Sequence, residues 1–126
     1  MIEGVGTDII EVERIEKQLS KDAGLKSILF TRSEINYCES KKFPFQHYAA
    51  RFSAKEAFFK ALGTGWRYGM KYNEIEIQNN ELGKPLIKSS GKVSEELQKR
   101  NIVRVHVSLS HLKEMANAMI ILESIP

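Results

Sequence analysis

The chain of 126 residues has one cysteine, Cys38, so no internal disulfide can form and no second thiol is present to complete a cysteine-based zinc site. Three prolines and eight glycines are too few for a collagenous or Pro/Gly-rich disordered chain. Runs of apolar residues are short, as at Met119 to Leu122, whereas a membrane-spanning helix needs roughly 20, so no membrane segment is expected. The first twenty residues carry Glu3, Asp8, Glu11, Glu13 and Glu16 and no apolar stretch, which speaks against a secretory signal. Together with the lone thiol, this makes a reducing cytoplasm the expected compartment. A strong excess of one charge is missing too: 19 Lys and Arg oppose 16 Asp and Glu, for a net charge of +3. That is a weak basis for binding nucleic acid, though it suits a phosphate-bearing ligand or an acidic protein.

What remains is 42% hydrophobic and 28% charged, without repeats, linkers or low-complexity stretches. Such a chain is expected to fold as a single domain over residues 1–126. Residues 2–9 read as a first strand ending near Asp8, with Gly4 and Gly6 easing close backbone approach. A helix over 11–22 follows, placing Val12, Ile15 and Leu19 on one side. Thr31-x-x-Glu34 is a capping box opening a helix that runs through Ser40. The longest helix follows Pro44 and stops at Gly63, with proline at its start and glycine just past its end. Beyond Gly63-Thr64-Gly65 the period becomes two. Glu74 to Gln78 reads as a strand, Asn79-Asn80 as a turn and Leu86 to Lys88 as a second arm. A helix over about 91–100 buries Val93 and Leu97. Two closing strands follow, Ile102 to Ser110 with Val103, Val105, Val107 and Leu109 on one face, and Ala116 to Leu122 paired with it. Early helices and late antiparallel strands give an α+β fold, a mostly antiparallel sheet packed against a long central helix.

Several residues stand out chemically. On the long helix, Phe45, Tyr48, Ala49, Phe52 and Phe59 share an arc with Glu56, and Lys60 lies one turn beyond it. A carboxylate among apolar neighbours needs a cation or strong donors, because burying it unpaired is too costly. Either Glu56 and Lys60 form an internal ion pair, or Glu56 is a metal ligand beside a phosphate-binding lysine. Asp8 is either the N-cap of the helix at 11–22 or a second hard oxygen ligand. A strand-end Asp and a helical Glu together suit Mg²⁺, whose octahedron substrate phosphates and water would complete. His111 follows Ser108-Leu109-Ser110 at a strand end, either as an ordinary surface histidine or as a phosphate donor. His47 and His106 read as structural. Gly63-Thr64-Gly65 lacks the P-loop pattern; it is a helix C-cap or a set of amides facing a phosphate. Arg14, Lys17 and Lys21 share one face of the first helix, a solvated basic face or a dock for an acidic helix, which Glu11, Glu13 and Glu16 make a poor nucleic-acid stripe.

Val5-Gly6-Thr7-Asp8 and, far along the chain, Phe52-Ser-Ala-Lys-Glu-Ala-Phe-Phe-Lys60 resemble the two-part signature of the phosphopantetheinyl transferases. Ala61 to Gly65, Gly83-Lys84-Pro85 and Val107 to His111 extend the resemblance in order along most of the chain. Its length is similar to that of the short branch, the holo-acyl-carrier-protein synthases. The resemblance implies the phosphopantetheinyl transferase fold and transfer of 4′-phosphopantetheine from coenzyme A to a serine of apo acyl carrier protein, releasing 3′,5′-ADP. It also implies fatty acid biosynthesis as the setting, Mg²⁺ as cofactor and a homotrimer with active sites between subunits. Carried onto this sequence, it makes Asp8 and Glu56 the metal ligands and Lys60 the group beside the leaving oxygen. Arg51, Lys55 and His111 become candidates for coenzyme A phosphates, and Gly63, Gly65 and Pro85 for the nucleotide pocket. Arg14, Lys17 and Lys21 become the contacts for the carrier protein. Two alternatives are a non-catalytic basic binding module and a Mg-dependent enzyme acting on another phosphate substrate.

Overall fold

A computed structural model describes residues 1–65 and 68–125. Strand β1 (Ile2–Glu11) leads into helices α1 (Val12–Lys21), α2 (Leu25–Leu29), α3 (Arg32–Glu39) and α4 (Pro44–Leu62). A 3-10 turn at Tyr72–Glu74 then opens the hairpin of β2 (Ile75–Asn79) and β3 (Pro85–Ser89), followed by α5 (Gly91–Lys99), β4 (Ile102–His111) and β5 (Met115–Ser124). The strands form two antiparallel sheets, one in the order β1-β5-β4 and one of β2 and β3. The sheets and helices make the α+β arrangement expected, but the centre of the larger sheet is its last strand in sequence.

Helix α4 begins with Pro44 at its first turn and ends on Gly63 in the left-handed region, at φ 77°. Its alanines are the reason that so much can pack round it: Ala49, Ala50, Ala54, Ala57 and Ala61 are all buried. On one side Ala57, Phe58 and Phe59 join Ile75, Ile77, Val93, Ala118, Ile120 and Leu122. On the other, Tyr48, Ala49 and Ala50 join Ile15, Leu19, Leu29, Phe30 and Ala116. Burying a large apolar side chain contributes about 1.5–3 kcal/mol, so these two clusters carry the bulk of the stabilisation. Beyond its first turn, only a narrow seam of the helix stays open, at Phe52, Glu56 and Lys60, spaced four apart. Of the arc expected to be apolar, Tyr48, Ala49 and Phe59 are buried while Phe45 and Phe52 are partly open, and Glu56 is half-buried beside them.

Strand β1 lies directly on this helix. A Cβ on Gly4 would sit 2.0 Å from the carbonyl oxygen of Ala61, and one on Gly6 would sit 2.0 Å from that of Ala57. Two strand residues advance about 6.6–6.8 Å and four helix residues about 6 Å, so the two backbones keep step. The next step along both brings Asp8 against Ser53.

Three local expectations are corrected. The strand continues past Asp8 to Glu11 because β5 pairs with it throughout, Asp8 opposite Ala118 and Glu11 opposite Met115. Glu11, not Asp8, is the N-cap residue of α1, and it caps with no side-chain bond. Val103 is 54% exposed while Ile102 is buried, since the β4–β5 register shifts between Ile102 and Arg104 and turns Val103 outward. The helix α2 and the 3-10 turn go unannounced by any periodic pattern, being five and three residues long.

Substituting Gly6→Ala forces a methyl into the Ala57 carbonyl. We expect a loss of about 3 kcal/mol or more in urea denaturation, at the upper end of the overpacking range; an unchanged midpoint would contradict the close approach.

Candidate active site

The site is built where β1 crosses α4. Ser53 Oγ lies 2.9 Å from the Asp8 carbonyl oxygen and 3.1 Å from Asp8 Oδ2. Lys60 Nζ donates to Asp8 Oδ1 at 3.0 Å and to the Thr7 carbonyl at 3.1 Å. The internal Glu56–Lys60 ion pair considered from helical spacing is thus replaced by one between Lys60 and Asp8. Asp8 keeps only 15% of its side chain exposed, against 57% for Lys60. An exposed lysine is cheap to redirect, because its charge stays largely solvated.

Glu56 accepts a hydrogen bond from the Tyr72 hydroxyl at 3.3 Å. Burial pushes its carboxyl above the usual range, and the Asp8 charge adds to this, while the Tyr72 bond, Lys60 and Arg14 pull the other way. Tyr72 is itself pushed up to about 12, by burial and then by the Glu56 charge, so its hydroxyl remains a donor at neutral pH. Two carboxylates close enough to feel one another, with a single ammonium on one of them, form a net acidic, hard-oxygen pair. That donor set fits a divalent cation such as Mg²⁺. Among the described residues no group of three or more His, Cys, Asp or Glu side chains is gathered to hold a metal, so any such ion would draw its other ligands from elsewhere.

Lys55, one residue before Glu56, is turned about 100° round the helix and into the core. Its Nζ is fully buried and donates to Glu34 Oε1 and the Leu29 carbonyl, both at 2.7 Å, and to the Tyr72 carbonyl at 3.0 Å. All three ammonium donors are used. Glu34 in turn closes the Thr31 capping box and accepts the Ile77 amide at 3.0 Å. The expectation that Lys55 meets a coenzyme A phosphate is corrected: helix α4 places adjacent residues about 100° apart, and 55 falls on the core side. Burial lowers the Lys55 pKa, with Glu34 opposing that shift.

Arg51, Pro85 and His111 do come together, lining a pocket of ≈ 210 Å³ with Tyr37, His47, Asn79 and Gly83. Arg51 Nη2 donates to Asn79 Oδ1 at 2.7 Å, its guanidinium lies 4.0 Å from the Tyr37 ring centroid, and its buried Nε has no hydrogen-bond partner among the described residues. The ring of His47 meets that of His111 edge-on at 5.3 Å. Burial, then the His111 and Arg51 charges, lower the pKa of His47. Gly63 and Gly65 are not among the residues lining this pocket. Gly63 closes the helix, its amide bonded to the Lys60 carbonyl at 3.0 Å. On α1, Arg14, Lys17 and Lys21 are exposed, and Lys17 pairs with Glu13 at 3.1 Å.

Four residues of these two sites escaped sequence reasoning. His47 lies four residues before Arg51 on the same helix face, a spacing that pointed to the pocket. Ser53 was visible only through the β1 crossing. Tyr37 and Tyr72 carried no signal, since each reaches its site through tertiary packing.

The model of the 4′-phosphopantetheinyl transferase superfamily matches residues 4–116. The chain belongs to that superfamily. It is 45% identical over 126 residues to a holo-[acyl-carrier-protein] synthase of Syntrophus aciditrophicus (strain SB), covering 99% of this chain and 98% of the relative. Among solved structures, the superfamily member from Neisseria meningitidis, a holo-[acyl-carrier-protein] synthase, superposes with a TM-score of 0.90 at 34% identity, covering 98% and 100% of the two chains. A holo-(acyl-carrier-protein) synthase from Bacillus anthracis in complex with CoA (3′,5′-ADP) gives a TM-score of 0.82 at 38% identity, covering 99% of each. The superfamily fold is therefore this chain's fold.

For Lys55→Met we expect a loss of about 3–5 kcal/mol in stability, because Glu34 is left buried without its cation. The KM for coenzyme A should hold in the folded fraction; a raised KM at unchanged stability would restore Lys55 to the phosphates.

Proposed function

We infer that this chain transfers 4′-phosphopantetheine from coenzyme A to a serine of apo acyl carrier protein, giving holo carrier protein and 3′,5′-ADP. Family membership and the synthases named above support the reaction, and fatty acid biosynthesis in the cytoplasm is the setting that fits it. One observation in this chain supports it: Asp8 and Glu56, from distant parts of the sequence, lie close enough for their charges to interact, and Lys60 joins α4 to β1 through Asp8.

Asp8 and Glu56 would hold Mg²⁺ on the diphosphate of coenzyme A. Bound there, Mg²⁺ supplies charge neutralisation to the phosphoryl oxygens. Glu56 takes the proton of the serine hydroxyl, directly or through water. The serine oxygen forms a bond to the β-phosphorus, and the bond from that phosphorus to the bridging oxygen breaks. That oxygen leaves with 3′,5′-ADP, and Lys60 stabilises or protonates it. Little covalent chemistry is asked of the protein, whose work is positioning and electrostatic stabilisation.

The pocket at Arg51 and His111 suits a further phosphate of coenzyme A, with Pro85 shaping the adjoining wall. Arg51 offers a buried guanidinium whose Nε has no hydrogen-bond partner among the described residues. The exposed Arg14, Lys17 and Lys21 would meet an acidic helix of the carrier protein. We further propose that the whole of residues 1–126 acts as one domain within a homotrimer. The outer face of the β1-β5-β4 sheet supports this: Ile9 is 65% exposed, Val5 57% and Met119 44%, an apolar patch left uncovered by the described residues.

Incubation with coenzyme A, Mg²⁺ and apo acyl carrier protein should add the phosphopantetheine mass to the carrier, read by mass spectrometry. Glu56→Gln should lower the rate by about 10²-fold or more; no mass increment on any of several carriers would defeat the assignment. Light scattering should give three times the 14.4 kDa chain mass, and Ile9→Glu should reduce that to one and lower activity. A monomeric, fully active wild type would remove the trimer.

A further inference from the structure

Tyr72 is held at three points by one face of α4. Its carbonyl accepts from Lys55 Nζ at 3.0 Å. Its ring stacks on Phe52, with centroids 5.7 Å apart and planes at 19°, and meets Phe59 edge-on at 5.2 Å and 80°. Its hydroxyl donates to Glu56 Oε1 at 3.3 Å. Residues 52, 55, 56 and 59 follow the helical spacing i, i+3, i+4, i+7, so the helix that carries the carboxylate also carries the clamp.

The ring and the hydroxyl have separable duties. A phenyl ring alone would fill the aromatic slot between Phe52 and Phe59. The hydroxyl instead meets a half-buried carboxylate that has a flexible side chain, sits on the open seam of the helix and repels Asp8. Left alone, two like charges drive such a side chain to swing away into solvent. A donor fixed by a packed ring opposes that swing, and it leaves Oε2 for another partner. At 3.3 Å the bond is longer than the usual O–H···O distance, as resting bonds at catalytic groups often are before substrate arrives.

We propose that Tyr72 is a positioning residue, whose hydroxyl fixes the Glu56 carboxylate toward Asp8 so that the two acids meet the divalent ion together. This rests on the reading of Asp8 and Glu56 as the magnesium ligands. It concerns the hydroxyl alone: the buried Lys55–Glu34 pair and the aromatic stack hold the ring in place whether or not the oxygen is there.

The test compares the full-length wild type with Tyr72→Phe, Tyr72→Leu and Glu56→Gln. With the oxygen removed and the ring kept, kcat should fall about tenfold while KM for coenzyme A stays within about twofold and the melting temperature within about 2 °C. Affinity for Mn²⁺, read by electron paramagnetic resonance without carrier protein, should weaken about threefold or more. Tyr72→Leu should lower the melting temperature as well. Tyr72→Phe with wild-type kcat and wild-type Mn²⁺ affinity overturns the proposal, and so does a parallel fall in stability, kcat and coenzyme A affinity. An active wild type that depends on Glu56 but is indifferent to the Tyr72 oxygen sinks this inference alone. A wild type that neither binds Mn²⁺ nor turns over sinks the metal reading and this inference with it.

Discussion

The contact between the backbone of β1 and the carbonyls of α4 is the constraint on which the rest depends. Gly4 and Gly6 carry no Cβ, and their places are taken up by the oxygens of Ala61 and Ala57. The strand could not lie so close with any other residue there. Because strand and helix advance in step, this closeness fixes where the third member of the series falls, and Asp8 arrives against Ser53 and within reach of Lys60. A separation set by ordinary side chains would hold the two acids several ångströms further apart. Here the steric emptiness of two glycines is what makes an electrostatic site.

Neighbouring residues of α4 then divide the labour according to which way they face. Lys55 and Glu56 are adjacent in sequence and opposite in consequence. One is fully buried and ties α2, α3, α4 and the 3-10 turn together through Glu34, Leu29 and Tyr72. The other looks out through the seam. A buried ion pair of this kind contributes modestly to net stability, but breaking it strands a charge. Its value here is geometric, since the same ammonium that neutralises Glu34 also fixes the backbone of Tyr72.

Much of this was legible in the residues. The ends of α4, the Thr31 capping box and the β4–β5 pairing follow from local chemistry that the sequence displays. What was not legible came from the third dimension. Helical spacing put Lys60 within reach of Glu56 but carries no information about a strand crossing from residues 4–8, and that strand offers a better partner. Lys55 entered as a phosphate candidate through the resemblance, whereas the partner that buries it lies on α3. The bulge at Ile102 shifts Val103 outward by one position, which alternation alone cannot foresee. Tyr37 and Tyr72 enter from short or irregular elements with no periodic signature.

The order of strands in the larger sheet has a temporal side. β1 is the first and β5 the last of the described elements in sequence, yet β5 lies between β1 and β4, and the Met1 nitrogen donates to the Ser124 carbonyl at 2.6 Å. On a ribosome, the glycine strand that carries Asp8 emerges long before the partner that aligns its edge. Contacts of such long sequence separation form late and slow the folding rate. The edge of the strand that carries Asp8 is therefore paired only once β5 has been made.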